Sequence, residues 1–109
     1  MAVDEAMLDV MRADLGLLPG LEEKRMFGGV AFMLGGHMVC GIGKDRAMYR
    51  VGKAREAEAL EAGAEPMSFT GRRMGGMVEL DAGAFEEEAL RARLTAMALD
   101  HAASLPPKS

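Results

Sequence analysis

One cysteine, no tryptophan and no long apolar run set the first limits on this chain. Cys40 stands alone, so no disulfide can close within the chain, and a lone thiol fits a reducing compartment. No stretch approaches the roughly 18 apolar residues of a membrane-spanning helix. Asp4, Glu5 and Asp9 occupy the region where a secretion signal needs positive charge and then an apolar run. A cytoplasmic protein with no membrane contact is expected. Aromatic residues make up only 5% of the chain, so Met, Leu, Val and Ala must fill the core. Hydrophobic residues make up 50%, which argues against disorder. A chain of 109 residues makes one domain, 1–109, with a disordered tail expected at 104–109. Such a chain buries roughly 60–70% of its unfolded surface, enough to fold without metal or disulfide. Eleven methionines are many; they suit irregular core gaps and adaptable interfaces, and core filling is the simpler reading.

The net charge of −4 hides a segregation. Residues 24–73 carry nine basic and five acidic side chains, while both flanks are acidic.

Periodicity orders the elements. Met7, Leu8, Met11 and Leu15 recur at helical spacing and predict a helix from Val3 to Leu15, stopped by Gly16. Glu22–Phe27, Val30–Leu34, His37–Ile42 and Arg46–Val51 read as strands. Gly28-Gly29 forms a bend between them, Gly35-Gly36 a hairpin turn, and Gly43-Lys44-Asp45 a further turn. Strict alternation puts Met38, Cys40 and Ile42 on one strand face. Lys53–Ala62 reads as a helix capped by Gly63. Met67–Phe69 and Gly76–Leu80 read as short strands around a loop at Thr70–Gly75. A final helix runs from Asp81 or Ala82 to Ala103, with Phe85, Ala89, Leu90, Leu94, Met97 and Ala98 as its buried stripe. The result is an α+β two-layer sandwich: an antiparallel sheet with helices on one side and the other face open to water or a partner.

Catalytic patterns are missing. Gly41-Ile42-Gly43-Lys44 ends like a phosphate loop. Met38 replaces the glycine that loop needs, and Asp45 replaces its Ser or Thr, so hairpin turns explain the glycines. His37 and Cys40 are three apart on a strand, which sends them to opposite faces and away from one ion. Cys40 reads as a small core residue and His37 as a solvated one. Tyr49 reads as a buried ring with a satisfied hydroxyl. No pair of acids is placed for acid–base work. An enzyme, a cofactor and a bound metal are not expected.

The basic middle holds the candidate partner-binding residues: Arg46, Met48 and Arg50 on the open face, and Arg72 and Arg73 in the glycine-flanked loop. They suit an anion, an acidic protein surface or a nucleic-acid backbone; a solvated face is the plainer alternative. A pI of 5.2 and the lack of an exposed aromatic platform make nucleic acid the less favoured partner.

The order of several pieces resembles the N-terminal domain of the TfoX (Sxy) family of bacterial competence regulators. They are Met26-Phe27-Gly28-Gly29 with Val30–Leu34, Gly36–Lys44 and Met48–Gly52. Pro66–Arg72 and Met74-Gly75-Gly76-Met77-Val78 complete the set. The resemblance covers residues 5–100 and implies an α-β(3)-α-β(2)-α sandwich similar to secretion chaperones. It implies regulation of DNA-uptake genes together with a transcription activator, and no catalytic residues. TfoX itself has a second, helical domain, so this chain is read as a stand-alone first domain. A non-catalytic regulatory or protein-interaction domain is expected, a homodimer through the open sheet face or a strand edge, with an unidentified protein as a further partner.

Overall fold

The computed structural model describes the backbone of residues 4–26, 28–69 and 72–106, and the side chains of these except 26, 68, 69 and 72–74. Helix α1 spans Glu5–Leu15. The Asp4 carboxylate accepts from the Met7 backbone N–H at 3.1 Å and caps its start. Gly16, with φ 68°, ends it. Met7, Leu8, Met11 and Leu15 are buried as one stripe, as the spacing predicts.

Four strands follow: β1 (Leu21–Met26), β2 (Gly29–Leu34), β3 (His37–Ile42) and β4 (Arg46–Arg50). A 3-10 turn at Lys53–Arg55 leads into helix α2 (Glu56–Ala62). Strands β5 (Glu65–Phe69) and β6 (Arg72–Asp81) precede two helices, α3 (Ala82–Phe85) and α4 (Glu88–Ala103). All pairings are antiparallel, in the order β1-β2-β3-β4-β6-β5. The helices cover one side of this six-stranded sheet, as expected of an α+β sandwich. Four strands, not three, lie between α1 and α2.

Several elements depart from simple periodicity. Strand β6 begins at Arg72, so Arg72 and Arg73 stand on a strand and not in a loop. Ser68 pairs with Arg73 and Phe69 with Arg72, which draws the chain into the sheet at once. The last helix is broken at Glu86-Glu87. At about 100° per residue, Phe85 and Leu90 would point some 140° apart on one continuous helix. Both are buried in the same core, so the helix must restart between them. Ala89 is exposed and leaves the stripe; Thr95 and Ala102 join it.

A bulge corrects the face of β3. Phe32 pairs with Cys40, but Met33 pairs with Met38, so Val39 is an extra residue. Val39 and Cys40 are both buried on the core side, and Met38 moves to the open face beside Met33.

Both sheet edges are guarded. The β1 edge carries Glu22, Glu23, Lys24 and Arg25, and β5 carries Pro66, which cannot donate to a further strand. Both edges thereby discourage the pairing of a further strand.

Candidate interaction face

Cross-strand registers place the open-face residues in rows. One row runs Lys24, Ala31, Gly41, Met48, Glu79, Glu65 across the whole sheet. A neighbouring row includes Glu22, Met33 and Met38, with Arg50 and Met77 paired further along. Met67, next to Glu65 and Pro66, reaches the same face by alternation. The helix-free side is therefore a bed of methionines over small residues. Met33, Met38, Met48 and Met67 are half-buried and Met77 is buried, while Ala31 and Gly41 lie beneath them. The Met38 methyl sits 3.4 Å from where a Gly41 side chain would begin.

Arg46, Met48 and Arg50 share this face as expected. Its charge is mixed, not basic. The Arg46 guanidinium donates to Glu65 at 3.1 Å and lies 3.6 Å from Glu79. One further basic residue of the middle segment is also committed: Arg55 pairs with Glu58 at 3.2 Å and with Asp100 at 3.5 Å. Arg50 and Lys24 have no ion pair among the described residues. The side chains of Arg72 and Arg73 lie outside the described residues, as does Phe27.

The covered side offers little chemistry. Cys40 is fully buried, and burial pushes its thiol pKa up to about 12, far from nucleophilic at neutral pH. Tyr49 is fully buried, and desolvation raises its pKa too. Its hydroxyl and that of Thr95 are close enough to influence each other, yet neither closes a hydrogen bond among the described residues. The expected satisfied tip of Tyr49 is thus not found. Asp14 and Arg91 join α1 to α4 at 2.9 Å, and Arg91 also donates to the Phe85 carbonyl and stands 5.3 Å from its ring. This ion pair fastens helices rather than facing a substrate.

His37 is half-buried, not solvated: its Nε2 lies 2.6 Å from the Pro106 carbonyl beyond α4. The bulge puts His37 on the same side as Cys40, against strict alternation. No group of three or more His, Cys, Asp or Glu among the described residues could hold a metal ion. No helix among them is long and apolar enough to cross a membrane. A cavity of about 450 Å³ beside α1 is lined by Arg12, Ala13, Gly16, Leu17, Leu21, Glu23 and Phe32. Its only charges, Arg12 and Glu23, are spent on each other through two bonds of 2.7 and 2.9 Å.

The model of the TfoX N-terminal domain matches residues 14–102. The chain belongs to the TfoX N-terminal domain family. The matched span covers β1 to the last turn of α4, so this TfoX domain includes the whole open face just described. No curated protein and no solved structure gives a match.

The TfoX domain also carries a titrating group at one end of the sheet. His101 packs against Gly52, and burial, then Arg50, then His37 lower its pKa below the usual histidine value. A histidine depressed in the folded state favours folding when neutral. Stability is therefore expected to be full above about pH 6.5, to fall as pH drops below it, and to level off below the folded-state pKa. Urea midpoints at pH 7.5 and 5.5 check this. His101→Gln should flatten the difference.

Proposed function

We propose that this TfoX N-terminal domain is a non-catalytic regulatory module of the cytoplasm that acts by binding protein through its open sheet face. The observation that carries the reading is the methionine bed of Met33, Met38, Met48, Met67 and Met77 on the helix-free side. Methionine is unbranched and polarizable, so such a face adapts to a partner's shape. The buried, weakly acidic Cys40 and the internally paired polar side chains supply no opposing reaction centre.

The family's place in competence regulation makes transcripts of DNA-uptake genes the first readout. Cells lacking the gene are supplied with the wild type or with Met48→Lys. A charge in the middle of an apolar contact carries a desolvation cost, so Met48→Lys should fold normally and fail to restore the transcript pattern. Arg93→Ala, on the exposed surface of α4, should restore it. Full restoration by a folded Met48→Lys defeats the reading. Binding to a nucleic-acid backbone through Arg46, Arg50, Arg72 and Arg73 is less well supported, because Arg46 is shared between two carboxylates on the same face.

A further inference from the structure

We infer that one occupant of the open face is a second copy of this chain, packed sheet to sheet about a two-fold axis parallel to the strands. The inference rests on the reading of that face as a protein-contact surface. The row Lys24, Ala31, Gly41, Met48, Glu79, Glu65 crosses all six strands. The midline of the sheet falls between β3 and β4. A two-fold axis along that midline turns the sheet over and exchanges β1 with β5, β2 with β6, and β3 with β4. The row then lies on its own reverse.

The reversed row is complementary to itself. Lys24 meets Glu65 of the partner subunit, and the contact occurs twice. Met48 meets Gly41 of the partner subunit, a long flexible side chain against the residue with none. In the adjacent row, Met33 of β2 meets Met77 of the partner subunit's β6. Aligned sheets cross at roughly −30°, which displaces the ends of the row by about 6 Å, within the reach of a lysine side chain. Lys24 is exposed and has no ion pair among the described residues, so its charge is available. Glu65 bonds to Arg46 at 3.1 Å and remains half-exposed, with room for a second cation.

The size suits a reversible dimer. Strands about 4.8 Å apart give the six-stranded face a width of about 24 Å, and five or six residues give a length of about 18 Å. The flat footprint is roughly 430 Å² per copy before side-chain relief, so two copies bury on the order of 1,000 Å². That is the lower end of specific interfaces. The charged β1 edge and Pro66 on β5 discourage the competing edge-to-edge dimer.

Sedimentation equilibrium from about 1 to 300 μM tests the arrangement. The wild type should dimerise within that range. Lys24→Glu places Glu opposite Glu65 twice, and Glu65→Lys places Lys opposite Lys24 twice. Each should weaken the dimer at least about tenfold. An equimolar mixture of the two variants re-creates both attractive contacts, so it should recover an affinity within about threefold of the wild type. Both substitutions are on exposed side chains, and circular dichroism confirms that the variants are folded. Met48→Lys supplies an independent disruption should either charge variant fail to fold. A wild type monomeric throughout the range overturns the inference. So does a dimer indifferent to Met48→Lys or to folded charge reversals, or a mixture of folded variants that does not recover. A monomeric wild type whose Met48→Lys variant still fails in cells leaves the protein-contact reading standing, with a different protein on the face.

Discussion

Replacing Phe32 with alanine is expected to remove about 3–5 kcal/mol of folding stability. Phe32 is 1% exposed and is one of the largest fully buried side chains. It lies opposite Cys40 at the last regular pair before the β3 bulge. Truncation leaves a void where α1 meets the sheet, and the void adjoins the existing cavity under Gly16 and Leu17. The neighbours cannot close in, because the backbone on one side is held by strand pairing and on the other by the α1 stripe. A small domain has about 5–15 kcal/mol in total, so this one change takes a large share. Urea unfolding followed by circular dichroism should show a much lower midpoint at an unchanged slope. A shift below about 1 kcal/mol would show that the site collapses freely.

Replacing Gly52 with alanine should cost at least about 1–3 kcal/mol, through two separable effects. Its backbone has φ 88° and ψ 151°, a region that residues with a side chain rarely occupy. A β-carbon there would also lie 2.6 Å from Nδ1 of His101. Combining Gly52→Ala with His101→Ala should recover the collision part and leave the backbone part. A double-mutant cycle from denaturation midpoints gives the coupling between the two positions directly. No coupling would mean that His101 swings aside without cost.

Much of the framework could be read in the chain. The α1 stripe ending at Leu15, the Gly35-Gly36 hairpin and the Gly63 stop need only neighbouring residues, and all three are found. What escaped reading depends on contacts made at a distance. Two-residue alternation cannot reveal which residue a strand will skip, so the Val39 bulge and the side taken by Met38 were hidden. The helix break at Glu86-Glu87 follows from Phe85 and Leu90 sharing a core, which helical spacing alone does not disclose. The open-face methionines resemble core methionines in sequence, since one side chain serves both settings. Arg46 read as an available cation because its partners Glu65 and Glu79 are far along the chain and meet it only in the sheet. For the same reason the family resemblance led to the right fold while the charge of the face had to be seen assembled.

The bulge in β3 acts as a phase boundary. On one side of Val39 the strand is read in one frame, and on the other in the opposite frame. Were the strand to run through Val39 without the bulge, strict alternation would re-sort the side chains before it. His37 would exchange its place near α4 for the methionine bed, and Met38 would be driven toward the core. One residue that touches no partner thus decides which sulfur atoms the domain presents to the outside.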